Sequence, residues 1–99
     1  VDLAVARIID EIRRLVETPV SPEELADNQS YFIGHMPLQL ETNEGIATTL
    51  HSIELYDLGL DYLLEYPYRI SALTAADLQR AAQRLLNPEA LAIAVAGPA

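Results

Sequence analysis

The chain has 99 residues, 51% of them apolar, with 15 acids against 6 arginines, no lysine, no cysteine and a net charge of −9. That length allows one domain at most, or part of one, and the apolar share excludes a disordered tail. The absent thiols exclude disulfides and thiolate metal sites, and the acidic field argues against nucleic acid and anionic membranes as partners.

The charge is unevenly placed. Residues 21–65 hold nine acids (Glu23, Glu24, Asp27, Glu41, Glu44, Glu54, Asp57, Asp61, Glu65) and no arginine. Such a run reads first as a solvated surface, with attraction of basic peptides as the functional alternative. The longest apolar stretch, Ala90 to Ala96, is too short to span a bilayer. Val1 is an unusual first residue, so the chain is expected to be part of something longer.

In chain order, Leu3, Val5, Ile8, Ile9, Ile12, Leu15 and Val16 recur at helical spacing and predict a helix over 2–17. Asp10–Arg14 and Arg13–Glu17 stand four apart as expected surface pairs. Pro19 ends this helix. Ser21-Pro22-Glu23-Glu24 then supplies a cap, a first-turn proline and a capping-box acid. The second helix is expected to run to about Gly34–Met36, burying Leu25, Tyr31, Phe32 and His35 or Met36, before Pro37 stops it. Thr42 opens a third helix over 43–57, with Ile46, Leu50, Ile53 and Leu58 on one side and Gly59 as its left-handed close. Residues 60–72 predict a short helix broken near Pro67. Thr74 to Asp77 form a second capping-box start for a helix over 75–86, and Asn87-Pro88 break it.

The tail alternates Ala with Leu91, Ile93 and Val95 over 90–96, which predicts a β-strand. A lone strand leaves its backbone N–H and C=O groups without partners. A sheet is therefore expected from another chain, or from sequence preceding Val1.

Candidate chemistry is sparse. His51-Ser52-Ile53-Glu54-Leu55 approaches the H-x-x-E-H of inverted zinc peptidases, but Leu55 stands where the second imidazole belongs. His35, the other histidine, falls in a different predicted helix. The pairs Glu54/Asp57 and Asp61/Glu65 sit at helical spacing, as chance allows in an acid-rich helix. Ser21, Ser30, Ser52 and Ser71 lack a nucleophile elbow, and the glycines at 34, 45, 59 and 97 form no phosphate loop. Tyr56, Tyr62, Tyr66 and Tyr68 read as core or interface side chains, with a ligand groove as the alternative. No catalytic, cofactor-binding or metal residue is assigned.

Several stretches together resemble the closing part of a structural repeat in the insulinase and mitochondrial-processing-peptidase family of pitrilysin-type zinc metallopeptidases. They are Pro19 to Leu25, Phe32-Ile33-Gly34, Pro37 to Ala47, Tyr56 to Tyr62, Tyr66-Pro67 leading to Ile70, Leu73 to Ala82, Leu86-Asn87-Pro88 and the expected strand ending in Gly97-Pro98. Each piece alone is ordinary helix grammar; their order and gaps carry the resemblance. It implies a sheet covered on one side by helices, duplicated to enclose a chamber, in a parent that cleaves peptides with zinc. The family's zinc ligands match no position here, so zinc is expected in the parent enzyme or its partner half. Arg69 and Tyr62 inherit no role.

The resulting expectation is an α+β fold: four to five helices and one C-terminal strand, with residues 1–99 a single partial domain. The expected role is structural, in the chamber wall of a peptidase. Expected partners are the rest of that peptidase or a companion subunit, with homo-oligomers of the isolated chain and peptide substrates of the parent. The alternatives are a segment of an inactive core-subunit-like relative and a stand-alone helical interaction module.

Overall fold

A computed structural model describes residues 1–97. It contains α1 (Asp2–Glu17), α2 (Pro22–Gln39), α3 (Asn43–Leu55), α4 (Tyr62–Ala72) and α5 (Ala75–Leu85). These fall into two compact units, one of α1, α5 and the C-terminal tail, the other of α2, α3 and α4.

In the first unit α1 packs on α5. Half-buried positions recur along α1 at Val5, Ile9, Ile12, Leu15 and Val16, as the spacing predicts. The carbonyls that end α1 have no intrahelical donors. Glutamines of α5 supply them: Gln79 Nε2 donates to Val16 at 3.3 Å and Glu17 at 3.1 Å, and Gln83 Nε2 donates to Val16 at 3.2 Å. At the start of α5 the expected capping box is formed. The Asp77 N–H donates to Thr74 Oγ1 at 3.2 Å, and the Thr74 N–H donates to Asp77 Oδ2 at 2.8 Å. Arg13 joins α1 to the tail through Glu89 at 3.0 Å, and Arg14 pairs with Glu11 at 3.0 Å.

In the second unit α2 packs on α4, and the same device recurs. Gln29 Nε2 of α2 donates to the carbonyls of Ile70 at 2.9 Å and Leu73 at 3.0 Å, where α4 ends. Thr42 caps α3 by accepting from the Gly45 N–H at 3.0 Å. Gly45 is required, because a Cβ there would collide with the Gln39 carbonyl. At the other end of α3 the Leu58 N–H donates to Ile53 at 2.9 Å and the Asp57 N–H donates to Glu54 at 3.2 Å. That is the Schellman pattern, and it places Asp57 in the left-handed region at φ 50°.

Four expectations are corrected. The described residues contain no strand, so the fold is all-α and not α+β. A strand needs a neighbouring ladder, and residues 91–96 have none; Leu91 to Ala94 instead line an open groove with Val5, Ile8, Ile9 and Ile12, and Leu91, Ile93 and Val95 stay exposed. Gly97 is described as a bend, while Pro98 and Ala99 lie outside the described residues. Second, the prolines do not stop their helices, since α2 runs through Pro37 and α4 through Pro67. Pro37 lies in the last turn of α2 and Pro67 at the middle of α4, and each removes a single backbone donor.

Third, Gly59 does have positive φ, but α3 has already ended at Leu55 and Asp57 makes the left-handed close. Fourth, Tyr31, Phe32, Ile46 and Leu50 are exposed although helical spacing predicted them inside. Among the described residues the buried apolar side chains are Ile53 and Ala82, each 6% exposed.

Candidate functional site

His51 lies on α3 and His35 on α2, both exposed. The His35 ring stacks on Tyr31, its neighbour one turn back, with centroids 5.4 Å apart and planes 10° apart. Among the described residues no three His, Asp or Glu side chains converge in a way that could hold a metal ion. With Leu55 in place of a second imidazole, the residues of this chain do not fit the zinc site that the resembled family carries.

The carboxylates serve surface roles. Glu65 accepts from Arg69 Nε at 3.0 Å, one turn along α4. Asp77 is held below the usual carboxylate range, first by the Thr74 hydroxyl, then by the Thr74 N–H, with a contribution from nearby Arg80. Arg13 is held above its ordinary value, chiefly by its hydrogen bond to Glu89 and by that residue's charge. The hydroxyls near α3 are also committed locally. Ser52 Oγ donates to the Thr48 carbonyl at 3.0 Å. An open groove of about 690 Å³ runs beside α3, lined by Gln39, Thr42, Thr48, Ser52, Tyr56 and Tyr62 among others. Of its hydroxyls, Thr42 is used in capping and Ser52 in back-bonding, and no nucleophile–base hydrogen bond forms among the described residues. Tyr62 and Tyr66 meet edge to face at 5.8 Å, both half-buried, whereas Tyr56 and Tyr68 are exposed.

What stands out is apolar surface. α4 is apolar on two faces: Tyr62, Leu63, Tyr66, Pro67 and Ile70 are half-buried, while Leu64 and Tyr68 are 72% and 79% exposed. Leu60, just ahead of it, is 93% exposed. The remaining face of α4 is polar and carries the exposed Glu65–Arg69 pair. On α2, Tyr31 and Phe32 form an exposed edge-to-face pair at 5.6 Å. Helical spacing marked Tyr31 and Phe32 as positions to be buried, and the structure leaves both exposed.

The described residues form an all-α fold that leaves large apolar side chains exposed. No protein-family model, no curated protein and no solved structure matches the chain.

Proposed function

We propose that this chain is a helical packing segment of a larger peptidase assembly of the insulinase and mitochondrial-processing-peptidase type. In this reading it braces the wall of a peptide-enclosing chamber and holds no catalytic group itself. The reading rests on its helices alone, without the strand.

The observation that carries it is area. The chain exposes 7956 Å². Two separate compact units, each of half its mass, would expose only about 6,800 Å² by the usual scaling of surface with mass. The excess, about 1,200 Å², exceeds the roughly 800 Å² that one partner contributes to an ordinary stable interface. Much of the exposed surface belongs to large apolar side chains, Leu3, Tyr31, Leu60, Leu64 and Tyr68 among them.

The test is to read the surrounding reading frame and the adjacent gene for H-x-x-E-H, then purify the encoded polypeptide together with this chain. The expected result is a zinc-containing complex that cleaves peptides and loses stability when this chain is removed. A co-purifying complex without zinc would indicate the inactive scaffold relative. A chain that is monomeric and stably folded by itself, with no such partner, would overturn the proposal in favour of a stand-alone interaction module. The acidic second unit is the feature that favours that alternative.

A further inference from the structure

We propose that the turn joining α3 to α4 docks a partner segment carrying Lys or Arg side chains beside large apolar ones. This inference rests on the packing-segment reading and adds the chemistry of what covers one face. The surface consists of Leu55, Tyr56 and Leu60, all exposed, interleaved with Glu54, Asp57 and Asp61.

Three observations select a basic amphipathic occupant. None of these three carboxylates has an ion-pair partner among the described residues. The last turn of α3 holds no basic residue, so the negative end of its dipole adds to their field. The last turns of α1, α4 and α5 do carry Arg14, Arg69 and Arg84. A second copy is the wrong occupant for this face, since residues 22–73 hold nine acids against one arginine and would meet like charge. The exposed Leu and Tyr side chains require apolar cover, and the carboxylates beside them select cations at its rim.

The experiment uses the whole 99-residue chain. Fluorescence anisotropy measures its binding to a labelled synthetic helix of Leu and Lys in amphipathic order. Two control peptides replace Lys by Glu, or Leu by Ser. The Leu/Lys peptide is expected to bind roughly tenfold tighter than either control, and to weaken with salt. The triple variant Glu54→Gln, Asp57→Asn, Asp61→Asn should lose roughly tenfold in affinity with its helical circular dichroism intact. The control triple Glu23→Gln, Asp27→Asn, Glu41→Gln should bind within about twofold of the parent chain.

Equal binding of either control peptide, or equal losses in the two triple variants, would overturn the assignment. An apolar fluorescent dye separates this failure from that of the underlying reading. Dye uptake without preference for the basic peptide removes the partner chemistry alone, and no dye uptake removes the packing-segment reading as well.

Discussion

The side-chain amide of Gln29 lies 2.9 Å from the carbonyl of Ile70, closing the end of α4 from the neighbouring helix α2. Gln79 treats the end of α1 in the same way. Each unit thus fastens its helix pair by glutamine amides on carbonyls at the other helix's end, Gln29 in one and Gln79 with Gln83 in the other. Gln29→Ala and Gln79→Ala should each lower stability by about 1 kcal/mol, the net value of such a hydrogen bond with partly exposed acceptors. Urea unfolding followed by circular dichroism reads this. A loss near zero in both variants would show that solvent replaces the amide freely.

The capping box makes stability at acid pH depend on Asp77. Its carboxylate titrates below the ordinary value because Thr74 donates to it. A depressed carboxylate stabilises the folded chain above its unfolded pKa, and the contribution fades as pH falls through the lower folded value. Thr74→Ala should cost about 1 kcal/mol near neutral pH as a lost cap. The gap between Thr74→Ala and the parent chain should narrow as pH falls from about 5 to 2. Urea midpoints at a series of pH values test this, and a gap constant with pH would contradict it.

Asp57 violates two local preferences at once. It is a side chain with positive φ, and its charge sits at the negative end of α3. Asp57→Gly should therefore raise stability by about 0.5–1 kcal/mol, while Asp57→Val should lower it by about 1–2 kcal/mol. Thermal unfolding of the two variants should bracket the parent chain. The opposite order would mean that the Schellman close is not maintained in solution.

Self-association of the isolated chain should run through the first unit. Residues 22–73 repel their own copy, whereas the remainder is nearly balanced, six acids against five arginines. Leu3 and Ile8 are the exposed apolar residues available on α1. Leu3→Glu with Ile8→Glu should lower the average mass seen by light scattering at high concentration. Leu64→Glu on α4 should change it much less. A strictly monomeric parent chain would contradict this.

Much of the helical plan was legible because it is written in local chemistry. Pro19, the Ser21-Pro22 start, Thr42, the Thr74/Asp77 box and Asn87-Pro88 act within one turn of themselves, and the helices begin and end near them. The failures are all tertiary. Alternation at Leu91, Ile93 and Val95 reads as a strand, but without a ladder these side chains stay exposed, Leu91 and Ile93 beside the groove on α1. Pro37 and Pro67 read as stops, yet an established helix forgoes a single backbone donor at each. Tyr31 and Phe32 sit at core spacing without a core of their own. The broken H-x-x-E-H at His51 is given no role on its residues alone, since Leu55 has no donor atom for a metal.

The tail past Ala90 is held by side chains and not by its main chain; among the described residues, none of its amides or carbonyls joins a backbone hydrogen bond. A protease would find there a ready extended substrate, well before any helix loosens. Clipping it would strip Leu91 and Ile93 from the hydrocarbon row of Val5, Ile8, Ile9 and Ile12. Stored material should therefore lose a few terminal residues first and turn cloudy afterwards.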